Sequence, residues 1–201
     1  MSRTIEAPEE AFAPLARGLH NGLRAANADL AMQALTAELH GLLGIQDAHL
    51  KPGGLLPGEK PLVIAGVEMV SADRQEFVFI AERNFPAHQH RQRIPIGTGH
   101  QALVMRTKKS VLSEDLHKDP VFVQVLSAAK MGSLIMAPML WEGEVMGMIF
   151  TASQARRQFR PLDLIALEAF ADAAAALWVA HDGPHLLEDV LAERPLPARR
   201  R

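Results

Sequence analysis

Apolar residues recur along residues 24–43 at spacings of three and four. Ala28, Met32, Leu35, Leu39 and Leu42 share one face, which predicts a helix with one apolar stripe. The segment is rich in Ala, Leu, Met, Gln and Glu and meets no glycine before Gly41, a composition that favours helix. Gly44 is placed to end it. A shorter helix fits residues 8–19, with Gly18 and Gly22 weakening the join to the next. The pattern then breaks: Pro52, Gly53, Gly54, Pro57, Gly58 and Pro61 crowd residues 51–61 and predict a loop. From Leu62 the chain turns strand-like. Residues 62–70 and 76–81 are short, apolar, β-branched runs joined by a polar turn over 71–75.

A loop with Pro86, His88 and His90 leads to Ile94-Pro95-Ile96-Gly97-Thr98-Gly99, and residues 100–107 fit one or two helical turns. Residues 110–112 fit a short strand. Asp119 before Pro120 predicts the start of a helix reaching about residue 129. Gly132 opens the clearest hairpin: residues 134–140, a turn over 141–144, then residues 145–151. A long helix follows over about 161–181, with Pro161 in its first turn. Leu164, Leu167, Ala171, Ala175 and Trp178 form one apolar row on it; Ile165, Ala169, Ala173 and Leu177 form a second. Such a helix needs cover on more than one side, one from the sheet and one from a partner. Gly183-Pro184 ends it, a short helix fits 185–193, and residues 195–201 read as a basic tail. Strands joined by tight turns, with helices at the ends, predict an α+β domain on an antiparallel sheet.

Composition narrows the function classes. The 201 residues suit one domain with extensions, and 48% hydrophobic against 22% charged residues suits a buried core. With 21 Lys+Arg, 23 Asp+Glu and a net charge of −2, the chain lacks the cationic field that nucleic acid requires. There is no cysteine, which removes thiolate zinc sites, thiol nucleophiles and thioether-linked chromophores. No stretch approaches the ~20 apolar residues of a membrane helix, and residues 1–10 lack the apolar core of a secretory signal. A cytoplasmic protein that contacts neither membrane nor nucleic acid is expected.

One ordered series of motifs stands out. It runs Ile94-Pro95-Ile96-Gly97-Thr98-Gly99-His100, Lys109-Ser110-Val111-Leu112-Ser113-Glu114-Asp115, Asp119-Pro120-Val121-Phe122, Gly132-Ser133-Leu134-Ile135-Met136-Ala137-Pro138, Gly143-Glu144-Val145-Met146-Gly147 and Phe159-Arg160-Pro161-Leu162-Asp163. Together these resemble a GAF domain. The resemblance covers roughly residues 23–181, leaving an N-terminal extension (1–22) and a C-terminal short helix and tail (182–201); a Gly/Pro-rich insertion occupies about 45–61. It implies an antiparallel sheet of five to six strands with helices on both sides and the terminal helices in a bundle. It also implies a sensing or regulatory module that binds a small molecule or anion over one sheet face. A homodimer through the terminal helices and a downstream protein partner go with it.

The chemistry of the site is then an expectation about particular residues. Gly97, Gly99 and Gly132 offer close backbone amides suited to an anion. His100 and Ser133 add directional hydrogen bonds, Ile96 begins the loop over the site, Asp115 sits at the rim, and Phe122, Met136 and Met148 supply an apolar wall. His100 can donate to a ligand, bind haem iron or cap the short helix. His88 and His90 would share one face of an extended segment, but a metal site needs further ligands, so a polar loop is the preferred reading. Arg156, Arg157 and Arg160 read as solvated surface. No metal, no covalent bilin, no catalytic residue and no enzymatic activity are expected, and cysteine-dependent methionine sulfoxide reduction has no thiol to run on. A haem-based gas or redox sensor, and a dimerisation module with a filled pocket, are the competing readings.

Overall fold

The computed structural model describes residues 4–97, 99–124 and 130–193. Six strands form one antiparallel sheet: β1 (Val63–Val70), β2 (Glu76–Arg83), β3 (Arg93–Pro95), β4 (Val111–Ser113), β5 (Ser133–Trp141) and β6 (Glu144–Ser153), in the order β3-β2-β1-β6-β5-β4. The β5–β6 hairpin turns at Glu142 and Gly143, both with positive φ (49° and 79°), the geometry that matches strand twist in a two-residue loop. Five helices accompany the sheet: α1 (Phe12–Leu23), α2 (Ala28–Leu39), α3 (Gly99–Thr107), α4 (Pro161–Ala180) and α5 (Gly183–Glu193).

Strand alternation sorts the side chains into two cores. Ala65, Val67 and Met69 of β1, with Ile135, Ala137 and Met139 of β5, meet the layer of α1, α2 and α4. Ile64, Met136, Met148 and Phe150 point the other way, towards α3 and the long loops. Both faces are covered, so the central strands show no polar side.

The helix layer corrects part of the sequence reading. Met32, Leu35 and Leu39 are at most 1% exposed; the apolar stripe of α2 serves the chain's own core. The second side of α4 is likewise met from within, by α1, α2 and α5. Gly18 and Gly22 lie inside α1 instead of breaking it. A Cβ on Gly18 would stand 2.9 Å from Leu35 Cδ1, and one on Gly22 2.6 Å from Leu177 Cδ1. Their bareness lets α1 settle close onto α2 and α4, and that contact outweighs the ~1 kcal/mol helix penalty of each glycine.

The insertion after α2 does not disturb the sheet. It folds over the end of β6, where the Arg156 amide donates to Gly54 O (2.8 Å) and the Arg156 guanidinium to Gly53 O (2.8 Å). Lys60 N–H donates to Gln154 Oε1 (3.2 Å) and Ile45 N–H to Gln158 O (2.7 Å). Arg156 is therefore 7% exposed, a buried clamp and not the solvated cation expected; Arg160 is tied to Asp163. The helix expected from Asp119 does not form over its described part, where residues 120–124 are turn and irregular chain. Residues 125–129 and the basic tail lie outside the described residues.

Candidate functional site

The face of the sheet opposite the helix layer carries a small cleft with a cavity volume of about 60 Å³, several times what a single water molecule needs. Its floor is Ile64 and Glu68 of β1, Phe79 of β2, Met136 of β5, and Phe150 and Ala152 of β6. Its roof comes from His100 and Gln101 at the start of α3 and from the loop carrying Leu116, Phe122 and Gln124.

Glu68 is the anomaly of this surface. It sits mid-strand between Phe79 and Met148 in register, is 0% exposed, and neither carboxylate oxygen has a hydrogen-bond partner among the described residues. Burial pushes its pKa up to about 8, against a smaller lowering by the Gln101 side chain. A carboxyl so placed stays protonated near neutral pH, because ionising it without solvent or a partner is costly.

The rest of the polar chemistry is internally satisfied. His100 is 3% exposed and its Nε2 stands 3.0 Å from Asp119 Oδ2. Ser113 donates to the same oxygen at 2.5 Å, and the Val121 amide donates to Oδ1 at 2.9 Å. Burial raises the Asp119 pKa, but these hydrogen bonds and the charge of His100 outweigh it and leave the carboxyl below its ordinary range. Asp119 thus holds the imidazole and the roof loop together. Gly99, at φ 75°, starts α3 where Val123 packs 3.4 Å from the position a Cβ would take, which brings the loop down over His100.

The residues predicted from sequence divide accordingly. His100, Phe122 and Met136 line the cleft; Met148 and Ile96 pack in the apolar cluster beneath and beside it, and Gly99 shapes its roof. Gly97 is exposed, with nothing near it. Asp115 accepts the His117 amide (3.2 Å) and pairs with Lys118 (3.6 Å), bracing its own turn. Gly132 and Ser133 belong to the framework: the Gly132 amide donates to Ser153 O (2.6 Å) and the Ser133 hydroxyl to Ala155 O (2.6 Å). The amide offered to an anion is therefore engaged. His88 lies inside a 3₁₀ turn at Ala87–Gln89 that His90 follows, instead of in an extended segment, and His90 pairs with Glu82 (2.9 Å).

The Gly132 geometry makes a test. A Cβ there would stand 2.2 Å from Gln154 O, a backbone atom that cannot swing aside. Gly132→Ala is expected to cost about 2 kcal/mol through overpacking, read as a lower midpoint in urea unfolding.

An antiparallel six-stranded sheet, with α1, α2 and α4 on one face and α3 roofing a cleft on the other, defines an α+β domain. The GAF domain family model matches residues 8–178, and the chain belongs to that family. No curated protein is similar enough in sequence to count as a relative. Among solved structures, the chain is similar to the free methionine-R-sulfoxide reductase of Neisseria meningitidis in complex with its substrate (TM-score 0.69, 16% identity, 91% of this chain and 98% of that one). It is also similar to the GAF domain of a phosphoenolpyruvate-protein phosphotransferase from Coxiella burnetii (0.68, 16%, 89% and 98%). A third is the free methionine-R-sulfoxide reductase of Staphylococcus aureus in reduced form (0.62, 14%, 83% and 94%).

Two of these three are enzymes, which corrects the expectation that the chain is not one. The fold is shared with reductases over most of its length, so neither fold nor composition gives ground for setting enzymatic function aside. With no cysteine in the sequence, the titratable side chains among the described residues lining the cleft are Glu68 and His100. No described helix is long and apolar enough to cross a membrane.

Proposed function

We propose that this chain is a regulatory ligand-binding GAF domain: a small organic molecule occupies the cleft, and the occupied state is passed to a partner protein. One observation carries this reading. The cleft is apolar, open over the sheet, and holds a buried carboxyl with no hydrogen-bond partner among the described residues, an arrangement that costs stability unless a ligand uses it. Association of two copies through the helical layer belongs to the same proposal, supported by the exposed apolar Phe12, Leu30 and Ile165 on α1, α2 and α4.

The test is a melting-temperature screen of organic metabolites on the whole chain. A ligand at one hundred times its Kd stabilises the fold by about 2.7 kcal/mol. That is a rise of roughly 5–10 °C for a protein of this size. Ala152, 3% exposed on the cleft floor, is replaced by Leu to fill the space. Ala152→Leu is expected to abolish the ligand-induced rise while the free protein still unfolds cooperatively. A ligand shift that survives the filled cleft would place binding elsewhere and defeat the proposal.

A further inference from the structure

We infer that the cleft selects a monocationic ligand, an apolar body carrying one basic nitrogen such as a primary or secondary amine or an amidine, held by Glu68. This rests on the cleft being a ligand site and names the chemistry of its occupant.

Four observations converge. Glu68 is fully buried, with both oxygens unpartnered among the described residues, and forms part of the cleft floor. No lysine or arginine is among the described residues that line the cleft. An anionic ligand would find no fixed cation among the described lining residues. His100, the one basic side chain among the described lining residues, is already bonded to Asp119. Finally, Phe79, Phe122 and Phe150 surround the space, and aromatic faces attract cations in a desolvated site.

The proton balance follows from the state of Glu68. Before binding, the carboxyl carries a proton. An ammonium ligand enters as a cation, the Glu68 carboxyl gives its proton to solvent, and a carboxylate–ammonium pair remains. With the carboxyl at about 8, binding at pH 7 releases about nine-tenths of a proton. Affinity rises about tenfold per pH unit below that value, so long as the ligand stays protonated. The other titratable groups at the cleft are His100 with Asp119, and at its outer mouth His117 and Lys130; β2, β5 and β6 present apolar side chains to the floor.

The experiment uses matched triplets on the same body: benzylamine, benzyl alcohol and benzoate, then the corresponding series on larger aromatic and branched aliphatic bodies. Melting shifts and titration calorimetry are measured on the whole chain, wild type and Glu68→Gln. Amines are expected to bind tightest in a triplet. They should release close to one proton at pH 7, gain affinity from pH 6 to pH 7, and lose at least tenfold in Glu68→Gln. The alcohol should bind the variant no worse than the wild type. His100→Gln should leave the pH slope in place. Alcohols or carboxylates binding as tightly as amines, with Glu68→Gln indifferent, would overturn the cation assignment and leave the cleft a ligand site. No binding by any triplet, with no shift in the broader metabolite screen, would overturn both.

Discussion

Replacing Asp163 with alanine is expected to destabilise the fold by about 3–5 kcal/mol, the range for removing one member of a buried charged network. Its side chain is 0% exposed. Oδ2 accepts the Arg160 amide (2.8 Å) and guanidinium (3.1 Å), closing the first turn of α4. Oδ1 accepts the amide of Gly44 (2.8 Å) in the loop after α2. Arg160, held by this carboxylate, donates in turn to Ile5 O (2.6 Å) near the N-terminus. The aspartate also lies at the positive end of the α4 dipole. Asp163→Ala leaves a buried amide and an arginine without their acceptor, and a fall in Tm on the order of 10 °C follows for a chain of this length. Asp163→Asn keeps one acceptor and should lose about half as much. Calorimetric melting of the three proteins checks the order.

Glu68→Gln is expected to do the opposite, and to do so only above mildly acidic pH. The folded-state pKa is raised, from 4.5 to about 8. The folded protein therefore binds this proton more tightly than the unfolded chain does. Its stabilising contribution is complete below pH 4.5 and is lost as pH rises through about 8. Glutamine keeps the shape and cannot ionise, so it removes this slope. Between pH 5 and pH 7 the variant should gain on the wild type by on the order of 3 kcal/mol, seen as diverging urea midpoints. Parallel curves across that window would show that Glu68 ionises as freely folded as unfolded.

Much of the fold was legible in the sequence because its signals are local. The hairpin around Gly143, the periodic stripe of α2 and the proline at the start of α4 each state their structure within one element. The candidate site was less legible, because it depends on what distant segments do to one another. Gly132 and Ser133 suit an anion loop and a tight strand crossing equally well. Only the approach of Gln154 and Ala155 decides for the second. Asp119 before Pro120 reads as a helix cap, but its carboxyl is claimed by His100 and Ser113. Glu68 gave a signal that went unused: a lone carboxylate in the otherwise apolar run of β1. In a strand covered on both faces, position parity does not separate inside from outside, so a charged residue there marks either an error of assignment or a site.

The sheet places its first and last strands side by side at the centre, with Val63 opposite Ser153 and Met69 opposite Gly147. A chain emerging from the ribosome can form β1 and β2 as a hairpin early, but the inner edge of β1 must wait some eighty residues for its neighbour. The knot at Asp163 comes later still. Contacts of such separation raise the loop-closure entropy of the transition state and slow folding relative to helical domains of similar size. During that wait the exposed edge of β1 displays Val67 and Met69 without cover, a period in which a chaperone, or another nascent copy, competes with β6 for the same backbone.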